Sequence, residues 1–200
     1  MKNGIRPLYI LIVLAVIFGF IFFSAYNTIQ TQDEKVATSW AEVVNQYQRR
    51  ADLVPNLVNT VKGYTSHESQ VLIDVTNARA KVGSVQINAD QLTDQKAVQQ
   101  FQQAQQQLSS ALSHLIAVSE NYPDLKASQL YSDLMQQLEG TENRIAVARG
   151  RYITTIQEFN TYIRRFPGVI IAKLIGEQPK AQFTVENEKA ISTAPQVSFN

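Results

Sequence analysis

The run Leu8 to Ala25, LYILIVLAVIFGFIFFSA, sets 18 residues in a row without a charge. Wound as a helix at about 1.5 Å per residue it reaches roughly 27 Å, close to the roughly 30 Å hydrocarbon thickness of a bilayer. A helix apolar on every side must be surrounded by protein or by lipid, so this run constrains the fold before anything else does. Pro7 stands at its start, where a helix tolerates proline because that N–H has no partner. The competing reading is a cleaved signal peptide, with Lys2 and Arg6 as its basic flank. Phe23-Ser24-Ala25 is a poor small-x-small cleavage site, the apolar run is long for a signal, and a chain without cysteine excludes a lipoprotein anchor. The expectation is an uncleaved transmembrane helix over residues 8–25, after a basic flank at 1–7. Lys2 and Arg6 precede it, whereas the first basic residue after it, Lys35, adjoins Asp33 and Glu34. That asymmetry favours a cytoplasmic N-terminus and an exported C-terminal domain, the opposite orientation being the alternative.

Beyond the span the periodicity is helical. Trp40, Val44, Tyr47, Ala51, Val54, Val58, Val61, Thr65, Leu72, Val75 and Val82 recur at spacings of three or four or their multiples. Pro55 falls inside this stripe and removes the bond to the Ala51 carbonyl. Because the stripe keeps its phase, the reading is one long kinked helix, with a break into two at Pro55 as the alternative. A second helix is expected from near Asp90 to about Glu120. Its seven glutamines between residues 99 and 107 form the wet face, while Phe101, Ala104, Leu108, Leu112 and Leu115 keep the apolar spacing. Asn121-Tyr122-Pro123-Asp124 reads as a turn, and Ser128 as the N-cap of a third helix running to about Phe166. Pro167-Gly168 stops it, a short apolar helix from Val169 to Ile175 follows, and Gly176 closes that. The predicted fold class is all-α: an N-terminal transmembrane helix and an up-and-down bundle of three to four long helices over 26–175, with an extended or disordered tail over 176–200.

Chemistry is harder to find. A net charge of +1 gives no footprint for nucleic acid. His67-Glu68 is half of a zinc-protease motif whose second histidine would fall at Val71. No Walker loop, dinucleotide fingerprint or G-x-S-x-G elbow is present. Neither a catalytic site nor a cofactor is expected. The features that stand out are polar residues set in apolar stripes: Glu142 and Arg149 in the third helix, Glu68 and Arg79 in the first. Single buried charges are costly, so such groups pair or stay wet. The pair Arg49-Arg50 lies roughly 36 Å beyond the span on a straight helix, several Debye lengths from any lipid charge, which favours a solvated or ion-paired role.

Several runs together resemble the LemA family of bacterial membrane proteins. They are Arg49-Arg50-Ala51-Asp52-Leu53-Val54-Pro55-Asn56-Leu57-Val58, Val61-Lys62-Gly63-Tyr64, His67-Glu68, Ala78-Arg79, Tyr122-Pro123-Asp124-Leu125-Lys126-Ala127, the stretch Leu138 to Arg149, and Phe166-Pro167. The chain departs from the family pattern at Ile153, where Asn is expected, and at Phe159, where Tyr is expected. The resemblance implies a single-pass helical-bundle protein of a bacterial cell membrane and no established reaction. One member linked to magnetosome membrane formation makes membrane organisation conceivable. Arg49, Arg50, Asp52, Asn56, Glu68, Arg79, Glu142, Asn143 and Arg149 are together expected to form either an interhelical polar network or a surface facing a partner. The leading functional expectation is a non-catalytic, membrane-tethered adaptor or scaffold for other envelope proteins. The alternative is a self-assembling, homo-oligomeric protein that shapes membrane.

Overall fold

The apolar run and the first bundle helix are one piece. In the computed structural model, which describes residues 5–65 and 68–183, helix α1 runs without interruption over Ile5–Lys62. His67, Lys2 and residues 184–200 lie outside the described part. Helices α2 (Ser69–Ser84), α3 (Gln95–Ser119), α4 (Pro123–Lys126, a single turn), α5 (Gln129–Tyr162) and α6 (Gly168–Ile175) follow. A 3₁₀ turn over Ala89–Thr93 precedes α3, and there is no strand among the described residues.

Over residues 8–21, α1 presents its large apolar side chains to no described element. Leu11, Val16, Phe18 and Phe20 are all about two-thirds exposed or more, and the first buried side chains are Ala25 and Ile29. From there the buried residues Val36, Trp40, Val43, Tyr47, Arg50, Val54, Leu57 and Val61 step along α1 by threes and fours. That spacing lets two helices share a continuous seam. The partner is α5, antiparallel, with Leu134, Leu138, Thr141, Ile145, Ala148, Tyr152, Ile156 and Phe159 on its seam. Helix α2 folds back along α1 and packs chiefly on α3.

The bend lies elsewhere than the proline. Helix α1 passes through Pro55 and ends at Lys62, and Gly63-Tyr64 make the turn. The stripe is in phase through Thr65 and Leu72, so periodicity alone runs the two helices together. The turn gains because it brings Val71, Leu72 and Val75 back onto the bundle, where full burial of such side chains stabilises by about 1.5–3 kcal/mol each. Asp94, not Asp90, caps α3: its Oδ1 accepts from the Lys96 and Ala97 amides at 2.8 and 3.4 Å. Ser128 holds the N-cap position of α5 without a side-chain capping bond. Gly176, at φ 76°, ends α6 in the left-handed region that favours glycine.

The core divides into two apolar clusters. The one nearer the span gathers Ala25, Ile29, Trp40, Tyr47, Phe101, Tyr152, Phe159 and Ile171; the far one gathers Val54, Leu57, Leu72, Leu108, Leu115, Leu125 and Leu138. Trp40 stacks obliquely on Phe101 and Tyr152 with ring centroids 5.1 Å apart, and its indole N–H donates to the Ile87 carbonyl at 3.0 Å.

After Gly176 the chain turns back as an irregular strap. The Asn160 side chain exchanges two 2.9 Å hydrogen bonds with the Lys180 backbone, and the Ala181 amide donates to the Leu92 carbonyl at 2.6 Å. Phe183 packs on Trp40 and Tyr152. Lys180 Nζ bridges Asp33 at 2.7 Å and Glu177 at 3.0 Å. Burial opposes its charge, but hydrogen bonds to both carboxylates prevail and raise its pKa.

Candidate functional site

Between the two apolar clusters the seam of α1 carries a charge. Arg50 is 1% exposed. Its Nη1 donates to Ser109 Oγ at 2.6 Å and to Glu142 Oε1 at 3.0 Å, and its Nη2 donates to Gln105 Oε1 at 2.7 Å and the Gln105 carbonyl at 3.0 Å. The guanidinium also lies over the Tyr47 ring, 5.0 Å from its centroid. Three helices, α1, α3 and α5, therefore meet on one side chain. The pair is lopsided: the Arg50 side chain is 2% exposed and that of Glu142 is 45%. A carboxylate still half in water has given up little hydration, so it can neutralise the buried cation at a lower cost than a fully buried pair. Arg50 Nε has no hydrogen-bond partner among the described residues. Burial raises the pKa of neighbouring Tyr47, against the lowering effect of the Arg149 and Arg50 charges, so its phenol stays neutral.

A second polar contact answers the proline. Pro55 cannot donate to the Ala51 carbonyl, and Arg79 Nε of α2 does so instead, at 3.0 Å. A helix end or gap left without a donor inside a bundle is costly, and here an arginine from the next helix closes it.

The remaining polar positions read from the sequence are dispersed. Glu68 accepts from the Tyr122 hydroxyl at 3.1 Å, joining the α2 start to α4. Asp52 accepts from Gln48 Nε2 one turn earlier on α1. Arg49, Asn56 and Asn143 are exposed. Arg149 lies over the Phe183 ring at 5.0 Å, clamping the strap. Glu142 and Arg149 do not occupy the α5 core positions that the stripe assigned to them. Thr141 and Ala148 do, because the seam alternates steps of three and four and the stripe was read a residue late. The third helix ends at Tyr162, short of Phe166, which is 75% exposed. Of the nine positions, only Arg50 and Glu142 bond each other directly, with Arg149 joined to them through Tyr47; Gln105, Ser109, Asn160 and Lys180 enter the polar framework from positions that carry no sequence signal.

Two surface depressions adjoin this framework. A shallow groove of about 1000 Å³ lies between α1 and α5, floored by Thr31, Thr38, Gly150 and Thr154 and edged by Glu34, Lys35 and the Glu42–Arg151 ion pair. A second, of about 550 Å³, is lined by Leu112, Ile116, Met135 and Leu138, with Glu139 and Glu142 beside it. Among the described residues no group of three or more His, Asp or Glu converges as a metal site would require. The grooves offer contact surface with charged edges, the chemistry of binding.

The description "LemA family" belongs to the family profile that matches residues 39–199. The chain is 23% identical to Protein LemA of Metamycoplasma hominis, the alignment covering 75% of this chain and 64% of that protein. It is 25% identical to Magnetosome protein MamQ 2 of Paramagnetospirillum magneticum, over 88% of this chain and 72% of the relative. It is 23% identical to Magnetosome protein MamQ of Magnetospirillum gryphiswaldense, over 76% and 61%. The match thus spans under two-thirds of the LemA relative and of the last of these.

Proposed function

The chain belongs to the LemA family, and from that membership and the geometry above we propose that it is a single-pass, non-enzymatic scaffold of a bacterial cell membrane. Its apolar helix is the anchor, its bundle stands on the exported side, and the groove between α1 and α5 faces protein partners. The observation that carries this reading is the continuity of α1. One helix supplies both the exposed apolar segment and the seam of the bundle, with no linker between them. A helix so built holds its cargo surface at a fixed distance along its axis from the membrane-embedded segment. Tethering also raises local concentration, so weak contacts suffice for binding. Orientation rests on the two cations before the span against the acidic flank after it.

Cross-linking in intact membranes, followed by capture of the full chain and of an anchor-only control, tests the scaffold. Partners recovered with the full chain, and lost when charge is reversed at the groove by Glu42→Lys, support it. Identical captures from the two baits would overturn it. A second reading, a self-assembling protein that organises membrane, draws support from relatives named as magnetosome proteins. The full chain purified as a monomer that leaves vesicle shape unchanged would remove it.

A further inference from the structure

The bundle ends near the span on a face that no described residue covers. Helix α6 buries Gly168, Ile171 and Ala172 and packs on α1, in the cluster that includes Ala25 and Ile29 and takes Phe22 at its edge. Those α1 residues stand where the apolar run ends, so α6 belongs to the cluster that begins at that point. Its opposite face presents Ile170 and Leu174, 46% and 69% exposed, and Phe166 just before it is 75% exposed. Around these apolar side chains stand Arg164, Arg165 and Lys173, all exposed and without an ion pair among the described residues. The carboxylates of Asp33 and Glu177 pair with Lys180 rather than with any of these three cations.

We propose that α6 is a membrane-interface foot: Phe166, Ile170 and Leu174 enter the boundary between headgroups and acyl chains, and Arg164, Arg165 and Lys173 pair with the phosphates of anionic lipids. The inference rests on the anchored reading of α1 and adds a second contact, with a stated lipid chemistry, on a different helix. An apolar face edged by cations is the pattern of helices that lie in the interface, and exposed apolar clusters of this kind mark interaction surfaces. Lipid is the occupant because α6 packs on α1 within the cluster that begins at Ala25, where the exposed apolar run ends, and because its exposed face joins apolar side chains to cations. A basic side chain held within a Debye length of anionic headgroups contributes about 1 kcal/mol, so three of them add a contact that depends on anionic lipid. Two contacts fix the tilt of the bundle, which one span alone leaves free.

The chain has no cysteine, so single cysteines report cleanly. The full chain carrying Leu174→Cys, Val13→Cys or Val147→Cys is labelled with an environment-sensitive fluorophore. Each is reconstituted in phosphatidylcholine vesicles with and without phosphatidylglycerol. The expected result is a blue shift at 174 relative to 147, larger with phosphatidylglycerol. Arg164→Gln/Arg165→Gln/Lys173→Gln should abolish the phosphatidylglycerol-dependent part. Emission at 174 matching 147 in both vesicles, with 13 still lipid-like, overturns the foot and leaves the anchor standing. Water-like emission at 13 overturns the anchor and the foot with it. A shift at 174 that follows the protein-to-lipid ratio assigns the face to a second copy and also overturns the proposal.

Discussion

Replacing Arg50 by alanine removes four hydrogen bonds at once, two of them to Gln105, which is 4% exposed. The Gln105 oxygens then stay dry without donors, and a cavity opens between α1, α3 and α5. Breaking a buried charged contact on one side costs about 3–5 kcal/mol. With a urea slope of about 2 kcal/mol per molar for a domain of this size, the unfolding midpoint should fall by roughly 1.5–2.5 M. Glu142→Gln should cost less, about 1–2 kcal/mol, because the Glu142 side chain is 45% exposed and water can partly replace it. Combining the two should reveal a coupling energy of about 1–3 kcal/mol. Trp40, the sole tryptophan, is 3% exposed in the cluster nearer the span and reports unfolding by fluorescence in detergent-solubilised full chain. Arg50→Ala within about 0.5 kcal/mol of the parent, the ordinary range of surface changes, would refute the claim that this side chain holds the three helices in register.

Three further outcomes follow from the same framework. Arg79→Ala should cost about 1 kcal/mol by freeing the Ala51 carbonyl, and the cost should shrink in a Pro55→Ala background, where the helix supplies its own donor; equal costs in both backgrounds, from urea melts, would contradict the assignment. Gly168→Ala would put a methyl group well inside contact with the Tyr162 carbonyl oxygen, so it should destabilise by about 1–3 kcal/mol and loosen α6, read by melting and by proteolysis after Arg164 and Arg165. Stability should fall on the alkaline side, starting near pH 10. Lys180 is raised by its two carboxylates and Tyr152 by burial, and a raised group contributes fully below its unfolded pKa and loses that contribution as pH rises through the folded one. A melting temperature flat from pH 8 to 11.5 would contradict this.

The spacing of apolar residues made the span, the helices and their order legible, and Pro167-Gly168 and Gly176 marked both ends of α6. Two things were hidden for identifiable reasons. The turn at Gly63 was invisible because Val61, Thr65 and Leu72 stay in phase across it, while Pro55, the stronger breaker, is harmless once Arg79 serves the Ala51 carbonyl. Arg50 was visible as a residue but not as a core residue. The stripe passes from Tyr47 to Ala51, whereas the seam passes from Tyr47 through Arg50 to Val54, and only a three-four alternation would have placed the guanidinium inside. Its partners Gln105 and Ser109 sit in a glutamine-rich stretch that reads as uniformly wet, and nothing local distinguishes them. The strap through Phe183 was also out of reach, because its anchors on Asn160, Leu92 and Trp40 lie far away in sequence.

Scaffold and interface foot both depend on one uninterrupted helix that joins lipid to bundle. Spin labels at Phe20→Cys and Asn45→Cys, both on exposed positions of α1, measure it directly in the full chain in lipid. Pulsed dipolar spectroscopy should give a narrow distribution centred near 38 Å, the rise of 25 helical residues. A broad or markedly shorter distribution would place a hinge between span and bundle and contradict the fixed geometry on which the scaffold and its interface foot depend.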